Sequence, residues 1–482
     1  MPEENLKEKA VNGTIWRILE MSINQATTFV IGVVLARLLS PEDYGVMGML
    51  TVFFATANCF KDCGIGAALV QKKTPTEDDY STAFLFNVAI ALAIYIVLFI
   101  SAPLIANFYN LPILTDITRV SALSFIISSL SATHFSRLNI ELRFKFRSQM
   151  SILAQLSTGL AGIVLALMGY GVWALVLQGL ISGIIVGIVL WFCSDWKPKL
   201  KFSTKSFRRL WHFGSNMLGS NIINTIYGNL YTLFIGKFYS STSVGMYNRA
   251  NGYASLPSAI IMDMSIGLNF PILAKLQDDN VRLIAAYEKL LRIPFYVLYP
   301  ILIGLVTLAE PLIQIMIGDK WLPCVPFLQI LCVGYMFYPL NGFNSNILLV
   351  KGRSDLVLKL DLIKKPIGIA LLVAALPFGI IWMMVGKALY SVVVYSLNCY
   401  YTKKILDYGL ISQLKVLCPI IIHSLLMGAA ITVSTHFLPS NVLKLSVGIP
   451  VGVLSYLGIG YIKHDETLFE IVDIVKSKTI HK

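Results

Sequence analysis

The chain has 482 residues, 56% of them hydrophobic and only 13% charged, with a mean hydropathy of +0.71 and a formal net charge of +13. Soluble globular chains carry about a quarter charged residues, so the composition excludes a soluble fold. A nucleic-acid partner is excluded too, because the basic residues sit in short loops between apolar runs, where they set membrane orientation and face anionic headgroups.

A helix crossing ~30 Å of hydrocarbon needs ~20 mainly apolar residues. Such runs recur at residues 15–37, 45–68, 82–104, 117–136, 150–169, 172–193, 212–237, 244–268, 293–309, 325–349, 357–376, 378–400, 415–437 and 443–461. The pattern predicts an all-α integral membrane protein of about fourteen transmembrane helices with both termini cytoplasmic. The least distinct boundary is near Pro377–Gly379, where thirteen spans would move the C-terminus to the other side. With the N-terminus inside, only seven Lys and Arg fall in outside segments and their span ends: Arg37, Arg119, Lys237, Arg249, Lys320, Lys387 and Lys444. The opening MPEENLKEKAVNGT has mixed charge and lacks a small-residue cleavage site, so the first span is expected to remain as an anchor. The seven cysteines include no CxxC and are expected to be small buried side chains. Two acidic loops read as helix starts. SPED at Ser40–Asp43 offers Ser40 as N-cap and Pro41 at the first helical position, and TPTEDD at Thr74–Asp79 repeats the device before the third span.

The chain resembles itself at an offset of 200 residues. LARLLSPEDYGVM at 35–47 aligns with IGKFYSSTSVGMY at 235–247, so Arg37 meets Lys237, Ser40 meets Ser240 and Gly45 meets Gly245. Asn24 meets Asn224, and at an offset of 201 Asp62 meets Asp263. The copies lie six spans apart and start on the same side. They predict two six-helix lobes in parallel repeat, related by an axis along the membrane normal. The predicted divisions are 1–194 for the first lobe, 195–404 for the second, and 405–482 for two added helices and a cytoplasmic tail.

Ionisable groups inside a bilayer are costly and usually face a cavity or a partner. Arg17, Glu20, Asn24 and Thr28 share one face of the first span, and Asn216, Ser220, Asn224, Tyr227 and Tyr231 share one face of the seventh. Arg249 is followed at i+4 by Tyr253, and Asn341, Asn344, Ser345 and Asn346 cluster in span ten. The substrate-facing candidates are Arg17, Glu20, Asn24, Arg37, Asn216, Asn224, Lys237, Arg249 and Tyr253. Of these, Arg249 is the foremost, because a guanidinium fork suits a bidentate phosphate. Glu20, Asp62 and Asp263 are the coupling-ion candidates. Several have a structural alternative: an intrahelical ion pair for Arg17 with Glu20, interface anchoring for Arg37 and Lys237, capping or snorkelling for Asp62 and Asp263, and helix–helix hydrogen bonding for the face with Asn216, Ser220 and Asn224. Cations and amides outnumber deep carboxylates, which favours an anionic, hydroxyl-rich substrate over a cationic drug. No HExxH, P-loop or GxSxG is present. The sequence therefore points to no enzyme, no metal and no cofactor.

Four stretches carry a family resemblance: LARLLSPEDYGVMGMLTVF at 35–53, KDCGIGAALVQKK at 61–73, GMYNRANGYASLP at 245–257 and LLVKGRSDLVLKLDLIKKPIGI at 348–369. They resemble the polysaccharide-transporter (Wzx/WzxC-like) flippase family of the multidrug/oligosaccharidyl-lipid/polysaccharide (MOP) exporter superfamily. The resemblance implies a multi-pass protein of the bacterial inner membrane. It implies flipping of undecaprenyl-diphosphate-linked oligosaccharide from the cytoplasmic to the periplasmic leaflet, for O-antigen, capsule or exopolysaccharide, by alternating access coupled to H+ or Na+. It also implies cationic cleft residues on the diphosphate (here Arg17, Arg37, Lys237 and Arg249), with membrane lipids, a polymerase and a chain-length regulator as partners. A lipid II flippase and a cation-coupled multidrug exporter are the alternatives within the superfamily. An embedded glycosyltransferase is the alternative outside it.

Overall fold

The computed structural model describes residues 3–480 except 62–65, 67–68, 70–71, 73–74, 195, 200 and 265–268. The described residues form helices and no strand. In chain order these are α1 Glu3–Leu38, α2 Pro41–Lys61, α3 Glu77–Tyr109, α4 Leu114–Ile140, α5 Phe144–Leu167, α6 Val172–Cys193, α7 Thr204–Phe238, α8 Ser241–Met264 and the short α9 Phe270–Ala274. Then follow α10 Asn280–Thr307, α11 Ala309–Ile317, α12 Val325–Tyr335, α13 Tyr338–Val350, α14 Ser354–Ala375, α15 Ile380–Leu406, α16 Leu410–His436, α17 Asn441–Ile462 and α18 Glu466–Ile480. Among the described residues, nine segments are long and apolar enough to cross a membrane, which makes this a multi-pass membrane protein. The predicted spans overlap these helices, although residues 62–65, 67–68 and 265–268 of the second and eighth spans lie outside the described residues and the tenth span covers two helices. The chain divides into two compact units, Met1–Gly245 and Met246–Lys482.

The helix starts follow from the acidic turns. Ser40 Oγ accepts from the Asp43 amide at 3.1 Å, and the Asp43 carboxylate takes the Ser40 amide at 2.9 Å and the Ser40 hydroxyl at 2.7 Å. This reciprocal box satisfies two donors that a helix end would leave open. At the repeat-related turn Ser240 Oγ accepts from the Ser243 amide at 3.1 Å. In TPTEDD the cap is Thr76, whose amide and hydroxyl both reach Asp79 Oδ2 at 2.8 Å, and Lys72 adds an ion pair to the same carboxylate. The KGRSD stretch is likewise a connector. Gly352 at φ +69° turns the chain from α13 to α14, Lys351 Nζ donates to Asn280 Oδ1 at 2.6 Å, and the Arg353 guanidinium takes Asp355 through two bonds of 2.9 and 2.8 Å. Those bonds hold the exposed Asp355 carboxyl below the usual carboxylate range.

Span ten, predicted as one run over 325–349, is two helices interrupted at Met336–Phe337. The cause is Pro339, which has no amide to give to Tyr335 four residues back and whose ring crowds that carbonyl. The freed Tyr335 carbonyl accepts Ser258 Oγ from α8 at 2.8 Å instead. Between α14 and α15 the chain breaks through Leu376–Phe378 and Gly379 at φ +103°. Six cysteines are described as free: Cys324, Cys332 and Cys399 are buried as expected, Cys59 is half-buried, and Cys193 and Cys418 are exposed.

In the first unit α1 lies along α5. Ser148 Oγ donates to Glu20 Oε2 at 2.8 Å, Asn24 Nδ2 to Ser151 Oγ at 2.9 Å, and Gln155 Nε2 to Thr28 Oγ1 at 3.0 Å. Farther along the same contact, Gly159 and Gly162 let Ile31 and Leu35 approach the α5 backbone. The seam is therefore polar over one half and small-residue over the other, the two devices that pack helices without a hydrophobic drive between them.

In the second unit the span-ten amides tie α13 to α15 and α16. Asn344 and Gln413 exchange two bonds, at 3.1 and 2.8 Å, while Thr402 donates to Asn344 at 2.9 Å and Tyr395 to Gln413 at 3.2 Å. Asn344, Thr402 and Gln413 have no exposed surface. Gln413→Leu leaves the Tyr395 hydroxyl unmatched and takes two bonds from Asn344, which keeps those to the Leu340 carbonyl and Thr402, and a buried polar group without its partner costs about 1–3 kcal/mol. A clear drop in the melting temperature of the detergent-solubilised protein is expected. An unchanged melting temperature would mean the network does not hold α16.

Candidate functional site

The strongest concentration of chemistry in the second unit is built around α8, whose sequence GMYNRANGY alternates aromatic, amide and cationic residues. Tyr247 and Asn251 are four residues apart and so share a face. On that face Lys387 of α15 donates its Nζ to Tyr247 Oη at 2.8 Å and to Asn251 Oδ1 at 2.7 Å. Tyr335, at the end of α12, donates to the same Asn251 oxygen at 2.9 Å. The ammonium lies 5.1 Å from the Tyr247 ring centre and 5.6 Å from that of Tyr335, within the range of cation–π attraction. The Pro339 break ends α12 at Tyr335, and Ser258 then pins that residue to α8. Three helices thus converge on one positive charge.

Arg249 lies two residues from Asn251 and projects from the other side of α8. Its guanidinium sits 5.4 Å from the ring of Trp321, which is fully buried, and 5.9 Å from that of Tyr253. Aromatic faces hold a guanidinium in place. The two faces of α8 therefore carry one aromatic-bound cation each. Ammonium and guanidinium groups, phenols and an amide are the groups that take phosphate oxygens and sugar hydroxyls.

The other residues singled out from sequence are distributed differently. Glu20 and Asn24 belong to the α1–α5 seam. Arg37 and Asn224 are exposed. Lys237 Nζ donates to the Phe108 carbonyl at 2.6 Å and lies 4.6 Å from the Phe108 ring centre. Arg249 and Tyr253 are brought together on α8. The side chains of Arg17, Asn216 and Asp263, and Asp62 altogether, lie outside the described residues. Among the described residues no group of three or more His, Cys, Asp or Glu is placed to hold a metal ion.

Sequence reasoning missed Lys387, Tyr247, Asn251 and Tyr335 as a set. Lys387 had been grouped with the outside span ends, yet it is the eighth residue of α15, half-buried among rings. The available signal was a single lysine in IIWMMVGKALYS, an otherwise uncharged helical stretch.

Comparison with known proteins gives a consistent picture. A family model described as a polysaccharide biosynthesis protein matches residues 34–326. The teichuronic acid biosynthesis protein TuaB of Bacillus subtilis is 27% identical over 415 residues, 84% of this chain and 85% of that one. The lipopolysaccharide biosynthesis protein WzxC of Escherichia coli is 25% identical over 372 residues, covering 75% and 74%. Among solved structures, the lipid II flippase MurJ in an inward closed conformation superposes with a TM-score of 0.75 at 18% identity, over 95% of this chain and 99% of that one. At that identity the likeness is one of fold.

Proposed function

The chain belongs to the polysaccharide biosynthesis protein family, and from that premise we propose that it flips undecaprenyl-diphosphate-linked oligosaccharide units across the bacterial inner membrane. The direction is from the cytoplasmic to the periplasmic leaflet, and the units serve a surface polysaccharide. The observation that carries the reading is the Lys387 ammonium held by Tyr247 and Asn251 inside a membrane-spanning unit. Charge retained at such a place marks a substrate path, and its surroundings suit diphosphate and sugar. The names of TuaB and WzxC, both polysaccharide biosynthesis proteins, support the substrate class.

In this reading the fourteen predicted spans all cross the membrane, both termini are cytoplasmic, and residues 1–194 and 195–404 are the lobes that rock in alternating access. Within the second unit Arg249 assists Lys387 with the diphosphate, and Arg17, Arg37 and Lys237 are the cations that the first unit offers to it. Glu20, Asp62 and Asp263 are the sites for H+ or Na+. A polymerase and a chain-length regulator receive the product. Lipid II flipping gains nothing from the site beyond the shared fold. Export of cationic drugs calls for a carboxylate where α8 and α15 present an ammonium.

Deleting the gene is expected to strand complete lipid-linked repeat units and remove the surface polymer, read by mass spectrometry of lipid extracts. Unchanged lipid-linked intermediates together with an intact polymer would falsify the proposal.

A further inference from the structure

Apart from the Lys387 cluster, the second unit holds a polar pocket of about 450 Å³ where α10, α16 and the start of α18 meet. Cations line it from three elements: Arg292 of α10, Lys415 of α16 and Lys463 in the turn after α17. Glu288, Asp465 and Glu466 add carboxylates. Arg292 directly precedes the predicted span 293–309, Lys415 opens 415–437, and Lys463 follows the end of 443–461. All three span ends belong to the side predicted as cytoplasmic. The pocket therefore lies at the depth of the inner leaflet's headgroups.

Its charges are unevenly committed. Arg292 Nη1 pairs with Glu466 Oε2 at 3.0 Å, and Lys289 with Glu470 at 3.2 Å adds a second tie from α10 to α18. Asp465 accepts the Thr467 amide at 2.9 Å, and its other oxygen lies 3.6 Å from His423 Nδ1. Lys415, Lys463 and Glu288 have no ion-pair partner among the described residues. Two ammonium groups and one carboxylate are thus left to a ligand.

The walls also hold buried polar atoms that nothing satisfies. Arg292 Nε, His423 Nδ1 and Thr467 Oγ1 have no hydrogen-bond partner among the described residues, and all three residues line the pocket. His423 is 8% exposed and Thr467 1%. Buried polar atoms are ordinarily matched. Water would match them too, but it brings no charge for the lysines or for Glu288.

The lining selects a molecule of both signs. A simple anion leaves Glu288 opposed, and a simple cation leaves the two lysines opposed. A phosphodiester with an ammonium a few bonds away answers both. Pro419 has no amide, so the Lys415 carbonyl loses its helical donor and adds an acceptor beside the pocket. A primary ammonium has three N–H groups for such acceptors, whereas a quaternary one has none. Farther along α16 from Lys415 the wall turns apolar, with Val416, Pro419 and Ile420. That is the polarity a lipid presents from headgroup to acyl chain.

We propose that this pocket binds the headgroup of one ethanolamine phospholipid of the cytoplasmic leaflet. Lys415, Lys463 and Arg292 Nε take its phosphate, and Glu288 takes its ammonium. The site is separate from the Lys387 cluster and does not depend on the flipping reaction. A lipid seated there joins α18 to α10 and α16, and makes the stability of the last two spans depend on the composition of the leaflet.

The test uses the purified full chain in detergent. Native mass spectrometry compares phosphatidylethanolamine, phosphatidylglycerol and phosphatidylcholine of identical acyl chains at equal concentration. Bound ethanolamine lipid about tenfold above either of the others, the factor that a preference of about 1.4 kcal/mol gives, is the expected result. Glu288→Gln, nearly isosteric, should bring the ethanolamine lipid down to the level of phosphatidylglycerol. Lys415→Gln combined with Lys463→Gln, both exposed residues, should reduce it about tenfold. Lipid-free melting temperatures of the variants near that of the unaltered protein show that the fold is kept. For the unaltered protein the ethanolamine lipid should raise the melting temperature, as a ligand of the native state does, and inorganic phosphate alone should not. Phosphatidylglycerol binding as well as the ethanolamine lipid would make this a plain anion site and overturn the proposal. So would an equal rise in melting temperature with inorganic phosphate, or ethanolamine-lipid binding that survives both sets of substitutions.

Discussion

Lys387→Met is expected to reduce surface polymer to a trace and to strand lipid-linked repeat units, with protein levels in the membrane close to normal. Met fills a similar volume and removes the charge, while Tyr335 still donates to Asn251 across the α8–α12 contact. Losing one member of a desolvated, hydrogen-bonded charge contact costs about 2–5 kcal/mol, roughly thirtyfold or more in substrate affinity. Lys387→Arg should recover part of the activity: it keeps the charge, but its planar fork fits poorly where an ammonium bonds a phenol and an amide at 2.8 and 2.7 Å. Quantifying polymer and lipid-linked intermediates in the complemented deletion strain distinguishes these outcomes. Normal polymer from the Met variant would remove Lys387 from the mechanism.

Gly45→Val is expected to leave almost no folded protein, and Gly245→Val to do the same. A Cβ on Gly45 would lie 1.6 Å from the Ser241 carbonyl oxygen, and one on Gly245 would lie 1.9 Å from that of Pro41. Both obstacles are backbone in tightly capped turns, so neither can rotate away. Overpacking ordinarily costs about 1–3 kcal/mol, and a clash with main chain stands at the top of that range or above it. Gly179→Ala, where an added Cβ meets nothing within 4 Å, should behave like the unaltered protein. Size-exclusion profiles of detergent extracts provide the comparison. A monodisperse, thermally normal Gly45→Val protein would mean the two turns do not meet.

Those two glycines explain why the repeat could be recognised. The identities at an offset of 200 lie where the chain has least freedom: a capping serine and a glycine whose hydrogen is the only substituent that fits. Local chemistry of this kind, including the Thr76 box and the Gly379 break, is written in neighbouring residues and can be read from them. Partners across helices are not. The polar face of α1 announces itself by spacing, but nothing within residues 15–37 indicates that Glu20, Asn24 and Thr28 turn toward Ser148, Ser151 and Gln155. The same limit hid the site. Arg249 and Tyr253 are visible as a pair on one helix, whereas Lys387 gains its meaning from Tyr247 and Asn251, 140 and 136 residues away. The break in span ten was within reach, since Pro339 stands in the sequence, but an apolar run tolerates proline often enough in membranes that composition alone did not decide it.

The α1–α5 seam also sets a timetable for biosynthesis. Asn24 and Ser151 are 127 residues apart, and at about 5–20 residues per second a ribosome takes roughly 6–25 seconds to make the second after the first. Throughout that interval the first helix to emerge carries a carboxylate and an amide that no later part of the chain can yet match. Hydrocarbon penalises both groups. α1 is therefore settled only when α5 has been made, waiting at the headgroup layer or against the insertion machinery until α5 arrives to take it across.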